Sequence, residues 1–197
     1  MNWINLLNNI DNSKIIYKNY NSNDLIFNEQ TKCDMLAILI KGEVLISTIT
    51  SNEKEEIFNT IYENEAFGDI LVFSSSHRYL GNVIATKKTK IAFINRDVLI
   101  NTFSTHPDIL KEYLMHVADK SIAIKLQAKL LSHKNIEDRI MYYLNTLSEE
   151  KNYVYIKSVT DLSKILSLPR PSVSRSLSNL EDKGLIKRNG KYIHIYY

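Results

Sequence analysis

Small hydroxyl side chains and two arginines occur together in a short segment near the C-terminus. Serine stands at every second position from 172 to 178, and no acidic residue lies between Arg170 and Leu180. Small hydroxylated side chains allow close approach to a phosphate backbone, and an arginine guanidinium fits the O6/N7 edge of guanine in the major groove. The segment therefore predicts contact with DNA, with a solvated basic helix face as the alternative. The predicted contact residues are Arg170, Ser172, Ser174, Arg175, Ser176 and Asn179.

The elements that must position these residues are two helices joined by a short turn. Ser158 or Thr160 can cap the first helix, which ends before Pro169. Pro171 fits the first turn of the second helix, where its missing N–H leaves no hydrogen bond unmade. The pattern predicts a helix-turn-helix.

The second of these helices has an apolar stripe at helical spacing. Val173, Leu177 and Leu180 stand at i, i+4 and i+7 and are predicted to form its buried face. The residues expected to face away from this stripe are Ser172, Arg175, Ser176 and Asn179.

A basic hairpin follows the two helices. Gly184 is suited to end the second helix, and Asn189-Gly190 is a strong two-residue turn signal between short apolar and basic runs. A basic β-wing beside a helix-turn-helix is expected to lie along the DNA backbone. Its predicted DNA contacts are Lys187, Arg188 and Lys191.

The first half of the chain has a different pattern, with short β-branched and aromatic runs separated by polar turns about every ten residues. The runs are 15–17, 25–27, 36–40, 44–49, 57–62, 83–85 and 91–94. This spacing predicts an all-β barrel or sandwich.

After Pro107 the apolar period changes to three and a half residues. The repeating positions are Leu110, Leu114, Val117, Ser121, Ile124, Ala128 and Leu131. A helix over 108–132 would be roughly 38 Å long, which exceeds what a small barrel can cover, so the stripe predicts a two-fold dimer interface. Packing of the helix on its own barrel is the alternative interpretation.

A second domain is expected to begin at residues 133–135, with an amphipathic helix from Ile136 to near residues 149–151. Residues 158–197 carry seven Lys/Arg against three Asp/Glu, whereas residues 1–157 carry 18 against 19. The positive charge is therefore concentrated in the segment predicted to bind DNA.

Composition excludes several classes of site. Five glycines, none in the required spacing, exclude a Walker or dinucleotide-binding loop. A single cysteine, Cys33, excludes an internal disulfide and a cysteine-based zinc or iron–sulfur site within one chain. No stretch is long and apolar enough to span a membrane, and no secretory signal is evident, so we expect a cytoplasmic protein without membrane contact.

In combination, these elements resemble the cyclic-AMP receptor protein/fumarate–nitrate regulator (Crp/Fnr) family of bacterial transcription factors. The motifs that carry the resemblance are Ile40-Lys41-Gly42-Glu43-Val44, Ala66-Phe67-Gly68-Asp69-Ile70, His106-Pro107-Asp108-Ile109-Leu110, the segment 169–177 and the segment 180–186. The resemblance implies an α+β protein. Its expected parts are an N-terminal double-stranded β-helix (a jelly-roll, cyclic-nucleotide-binding-like) sensor domain over 1–106, a dimerisation helix and hinge over 107–133, and a winged helix-turn-helix DNA-binding domain over 134–197.

The resemblance also implies a homodimer that binds a palindromic site in double-stranded promoter DNA and contacts RNA polymerase. Arg170 and Arg175 match the family's base-reading arginines, and Ser172 and Ser174 match positions of backbone or base-edge contact. The family's frequent glutamate after the first arginine is here Pro171, so the target sequence is expected to differ. Ser167 stands where many helix-turn-helix proteins have glycine.

A departure from the family's cyclic-nucleotide motif predicts that the effector is not cyclic AMP. In cyclic-nucleotide-binding members, an arginine follows the glycine-acid cassette by about ten residues, but that position is Tyr79 here, and the next is Leu80. A one-residue shift that brings Arg78 into the site is the alternative. The candidate effector-site residues are Gly68, Asp69, Ile70, Arg78, Tyr79, Leu80, Ile124 and Lys125.

Other signals and functions have less support from the residues. Haem ligation by His77, His106 or His116 is one alternative. A redox switch at Cys33 would lack a resolving cysteine. No cofactor is predicted. A cupin-type enzyme would need a cluster of metal ligands, whereas the barrel segment has only one histidine, so no catalytic or metal residues are predicted. A ligand-binding module that does not touch DNA is the remaining alternative.

Overall fold

The computed structural model describes residues 1–49, 53, 55–148 and 152–196. The chain divides into two compact units, Met1–Val117 and Ala118–Tyr197. The division falls within a long helix, so the boundary that the sequence places at 133–135 stays a prediction.

The first unit is built on two four-stranded antiparallel sheets, and every apolar run predicted from the sequence overlaps a strand. The strands are β1 (Ile15–Tyr20), β2 (Leu25–Phe27), β3 (Met35–Lys41), β4 (Val44–Ile49), β5 (Glu55–Ile61), β6 (Ala66–Phe67), β7 (Asn82–Ala85) and β8 (Thr89–Asn95). One sheet has the order β1-β8-β3-β6, and the other has the order β2-β7-β4-β5. The predicted jelly-roll architecture and α+β class are confirmed.

The core of this unit is centred on β3 and β8. Residues 36–39 and 91–94 are all buried, and Phe93 is among the largest fully buried side chains. Continuous burial along a strand means that both of its faces are covered, which fits the central position of these two strands in their sheet.

Two helices of the first unit were not predicted. Helix α1 (Trp3–Asn8) is capped by Asn2, and α2 (Arg96–Thr105) is capped by Asn95, each through a side-chain oxygen that accepts a backbone N–H. Both helices bury apolar residues against the strands. Short 3₁₀ turns occur at Asn12–Lys14 and Leu71–Phe73.

The long predicted helix is present as α3 (Pro107–Ser132). Of the predicted apolar stripe, Leu110 and Val117 pack against the core of the first unit, as the alternative interpretation required. The other stripe residues, Leu114, Ser121, Ile124, Ala128 and Leu131, are exposed. One helix therefore combines a buried start with an exposed apolar stretch.

The second unit combines helices with a small sheet. Its elements are α4 (Ile136–Ser148), β9 (Tyr153–Tyr155), α5 (Val159–Ile165), α6 (Arg170–Asp182), β10 (Ile186–Asn189) and β11 (Tyr192–Ile195). The sheet order is β10-β11-β9, and β9 was not predicted. Residues 149–151, near which the sequence places the end of α4, lie outside the described residues.

The core of the second unit includes Ile140 and Leu144 from α4, Leu162 from α5 and Val173 from α6. None of the helices in the described ranges is both long and apolar enough to cross a membrane.

Candidate nucleic-acid interface and sensor cassette

Helices α5 and α6 form the predicted helix-turn-helix. Ser158 caps α5: its hydroxyl accepts the backbone N–H of Asp161 at 3.0 Å and donates to the Asp161 carboxylate at 2.6 Å. Ser167, in the turn between the helices, has a φ of +53°. A serine thus adopts the left-handed conformation for which glycine is the usual residue.

On helix α6, Arg170, Arg175 and Asn179 are exposed, whereas Ser172 and Ser174 are half-buried. Val173, Leu177 and Leu180 are buried as predicted. Ser176 is only 9% exposed, so the prediction that it faces away with Arg175 and Asn179 is wrong. Because α-helical side chains at i and i+3 share a face, the buried stripe that starts at Val173 includes Ser176.

A shallow cleft of about 250 Å³ lies beside α6. It is lined by Ile136, Ser172, Arg175, Ser176 and Asn179. Arg170 is exposed in the first turn of α6, and no acidic residue lies in that turn. Uncompensated N–H groups and basic side chains at a helix start favour an anionic partner such as a phosphate backbone.

Glu137 on α4 binds Asn179 of α6 and Lys183, the residue that follows this helix. Its carboxylate accepts a hydrogen bond from Asn179 Nδ2 at 3.2 Å and one from Lys183 Nζ at 2.5 Å. These contacts, with that of Lys183 the stronger, hold the pKa of the Glu137 carboxyl below its usual value. The sequence analysis missed Glu137, because residues 42 and 46 positions apart have no local pattern that links them.

The predicted wing is the hairpin of β10 and β11. Asn189 pairs with Tyr192, so Gly190 and Lys191 form the loop. Lys187 and Lys191 are exposed, and neither forms an ion pair within the part of the chain that the structure describes. Both ammonium groups are thus free to contact a phosphate backbone.

Arg188, the third predicted wing residue, is bound to α6. Its backbone N–H and its Nε donate to the two carboxylate oxygens of Glu181, each at 2.8 Å, and its Nη2 donates to the Ser178 hydroxyl at 3.3 Å. The contacts lower the pKa of the Glu181 carboxyl, that of the Arg188 backbone N–H most. Arg188 therefore connects the wing to α6 through hydrogen bonds and an ion pair.

In the first unit, the cassette around Asp69 is bonded to α3. The Asp69 carboxylate is 6% exposed, and its Oδ2 lies 2.7 Å from His116 Nε2. The Tyr113 hydroxyl donates to the Asp69 backbone carbonyl at 2.5 Å, and the Trp3 ring packs edge-on against His116. His116, considered from the sequence only as a haem ligand, is a partner of the cassette acid.

Tyr79, at the position where the family has arginine, and Arg78, the residue before it, differ in burial. Tyr79 is 3% exposed and stacks on Phe27 with 4.4 Å between ring centroids, and burial raises the pKa of its hydroxyl. Arg78 is exposed, and its Nη1 donates to the Gln30 carbonyl at 2.8 Å. The position that must supply a phosphate-binding cation is thus occupied by a core aromatic.

The remaining candidate effector residues are more scattered. Gly68 lies beside Cys33 and Tyr79, Leu80 is 65% exposed, and Ile70 is half-buried. Ile124 and Lys125 are exposed residues of α3 in the second unit.

The other sensing chemistries have little support in the structure. Cys33 is fully buried, and burial raises the pKa of its thiol, which disfavours the reactive thiolate. The Nδ1 atoms of His77 and His106 lie within hydrogen-bond distance of nearby backbone carbonyls. Within the described ranges, no group of three or more His, Cys, Asp or Glu side chains could hold a metal ion.

Two known protein families match separate parts of the chain. Residues 17–106 match the cyclic nucleotide-binding domain family, and residues 139–190 match the MarR family. The cAMP-activated global transcriptional regulator CRP of Pasteurella multocida is 24% identical over 184 residues, which cover 90% of this chain and 88% of that protein.

Two solved structures share the fold. The catabolite activator protein of Thermus thermophilus, 18% identical, aligns over 93% of this chain and 86% of its own with a TM-score of 0.57. A cysteine-to-serine variant of CprK complexed with OCPA, 15% identical, aligns over 98% of this chain and 89% of its own with a TM-score of 0.61. With a jelly-roll domain, a long helix and a winged helix-turn-helix in this order, the chain belongs to the Crp/Fnr family of transcriptional regulators.

Proposed function

We infer that the protein acts as a homodimer on a palindromic promoter site, under the control of an effector other than cyclic AMP. The single observation that carries DNA recognition is the exposed, acid-free start of α6, with Arg170 and Arg175 on its surface. The domain limits that we propose are a sensor over 1–106, a dimerisation helix and hinge over 107–133, and a DNA-binding domain over 134–197.

In this proposal α6 enters the major groove, and the wing follows the backbone. Arg170 and Arg175 read base edges, while Ser172, Lys187 and Lys191 contact phosphates. Asn179 is oriented by Glu137 and contacts DNA from that position. A two-fold dimer presents two such helices to half-sites about one helical turn, roughly 34 Å, apart. Such sites lie in promoters in the cytoplasm, where RNA polymerase is the expected protein partner.

The dimer interface that we propose is the exposed apolar surface of α3. Ile124 is 61% exposed, Leu114 is 57% exposed, and Leu131 is 49% exposed. Met115 and Ile122, one heptad apart, add a neighbouring exposed stripe. A second copy that packs in two-fold symmetry covers this surface with its own matching residues.

The effector that we propose is not cyclic AMP, because the cassette lacks a cation at the required position. Tyr79 is a core residue there, and the Asp69 carboxylate is bonded to His116. Arg78 offers an exposed guanidinium nearby in sequence, which keeps a cyclic nucleotide bound through Arg78 as the second candidate.

Selection from a pool of randomised duplexes tests the DNA proposal without a known promoter. A dimer that reads bases enriches a palindrome with two equal half-sites, and its affinity falls steeply with salt. No binding at low salt would refute DNA recognition, and enrichment of a single half-site would refute the dimeric mode. A thermal-shift comparison with cyclic AMP tests the effector, and strong stabilisation of the wild type but not of Arg78→Ala would favour the second candidate.

A further inference from the structure

Lysine side chains gather at one end of the β1-β8-β3 sheet in the first unit. Asn19 on β1 pairs with Lys90 on β8, and Lys90 also pairs with Lys41 on β3. A cleft of about 420 Å³ opens at this end, within the range typical of small-ligand sites. We call it the lysine cleft, and its lining residues are Asn19, Tyr20, Asn21, Lys41, Lys88, Thr89 and Lys90.

The lysines of the lysine cleft have no ion-pair partner among the described residues. Like charges directly opposite each other on neighbouring strands are destabilising, and Lys41 and Lys90 are such a pair. In the described part of the chain, neither they nor Lys88 form an ion pair, although other lysines of the chain do. Three lysines that line one concave surface attract anions.

Close backbone contacts join the turn at Gly42, between β3 and β4, to the turn at Lys88, just before β8. Gly42 has a φ of +107°, and a Cβ at this position would lie 2.4 Å from the Thr89 hydroxyl and 2.7 Å from the Lys88 carbonyl. The buried Thr89 hydroxyl donates to the Lys87 carbonyl at 2.8 Å and accepts the Glu43 N–H at 3.3 Å. These contacts hold the backbone next to Lys41 close to the backbone that carries Lys88 and Lys90.

The nearby carboxylates accept hydrogen bonds at the edge of the cleft and form no ion pair with its lysines in the described part of the chain. Glu63 accepts the backbone N–H of Gly42 at 3.0 Å, and Asp24 accepts that of Asn21 at 2.6 Å. The third acid, Glu43, accepts a hydrogen bond from the Thr86 hydroxyl at 2.7 Å and forms an ion pair with Lys87 at 3.6 Å. Lys41 and Lys88 remain available for an anion from solution, whereas Lys90 Nζ lies 5.1 Å from the centre of the Tyr17 ring, a contact that leaves its positive charge unneutralised.

We propose that the lysine cleft binds a small oligophosphate, either inorganic or the phosphate chain of a nucleotide. Lysine binds phosphate as a point charge, and the side-chain amides of Asn19 and Asn21 supply neutral donors beside the ammonium groups. A cleft of this volume fits a compact anion better than the extended backbone of duplex DNA. The site lies in the first unit, so it is separate from the residues proposed to read DNA.

Calorimetric titration of the full-length protein with tripolyphosphate and with ATP, in the absence of Mg²⁺, tests the proposal. Lys41→Gln/Lys90→Gln is expected to weaken tripolyphosphate binding by at least about tenfold. The control Lys14→Gln/Lys111→Gln makes the same charge change at exposed positions of the same unit and is expected to bind as the wild type does. Equal affinities for the two ligands indicate recognition of phosphates alone, and tighter ATP binding indicates that the nucleoside also contributes.

Three results would overturn the proposal: no binding of either ligand to the wild type, an equal loss in the control, or loss of binding in Arg175→Ala, which would move the site to α6. Thermal melting checks the fold of the double variant, because the substitutions remove both the like-charged pair and the contact of Lys90 with the Tyr17 ring. If it fails to fold, Lys88→Gln in the exposed turn provides the same comparison.

Discussion

Replacement of Ile124 by aspartate tests whether α3 forms the dimer interface, and its effect can be worked from the exposure of the side chain. Complete burial of an isoleucine contributes about 1.5–3 kcal/mol, so covering the 61% of Ile124 that is exposed contributes about 1–2 kcal/mol per protomer. A two-fold dimer buries the residue twice. At roughly 1.4 kcal/mol per factor of ten, losing both contributions raises the dimer dissociation constant by about 30- to 700-fold.

This magnitude is a lower limit, because the substitution also places two carboxylates in an apolar interface. Sedimentation velocity over a dilution series measures the dissociation constant directly. Ile100→Asp is the matched control: Ile100 is 49% exposed, lies on α2, and is expected to leave the dimer unchanged. A dissociation constant for Ile124→Asp equal to that of the wild type, or a monomeric wild type, would refute the assignment of α3 as the interface.

The remaining predictions concern the recognition helix, its support and the barrel. Arg175→Ala is expected to weaken the selected DNA site by about 1–3 kcal/mol and relax base preference there, measured by fluorescence anisotropy; an equal loss on random DNA would contradict base reading. Because the pKa of Glu137 is lowered in the folded protein, its stabilisation is complete above its unfolded value of 4.5 and is lost as the pH falls through the folded value; wild type and Glu137→Gln should therefore converge in urea stability in acid, and a pH-independent difference would contradict this. Gly81→Ala is expected to destabilise by about 1–3 kcal/mol in urea unfolding, because the new Cβ meets the Phe58 ring and the Ser47 carbonyl at 2.6 Å; unchanged stability would mean that the strands can separate there.

The helix-turn-helix could be derived from the sequence because its signals are local. Ser158 caps α5 and Pro171 lies in the first turn of α6, as their spacing predicted. The exposure predicted for Ser176 was wrong, because three apolar residues define the centre of a buried stripe but not its width. Segments as short as β6 or β9 have too few residues for any period to be detected.

The polar contacts that complete the sites were beyond sequence analysis. Glu137 reaches Asn179 across 42 positions, and His116 reaches Asp69 across 47. Contacts of this separation depend on where two elements pack, and no local periodicity encodes that. The lysine cleft has the same origin, since Lys41 and Lys90 become neighbours only through the pairing of β3 with β8.

The sequence by itself determined the order of the three main parts, the position of the helix-turn-helix and the departure from the family's cyclic-nucleotide motif, because each depends on residue types a few positions apart. Only the tertiary structure decided what replaces the missing arginine. Tyr79 enters the core and stacks on Phe27, while Arg78, its neighbour in the chain, remains in solvent. Neighbouring residues of an extended segment point to opposite sides, and which side is the interior is set by the packing of the whole unit.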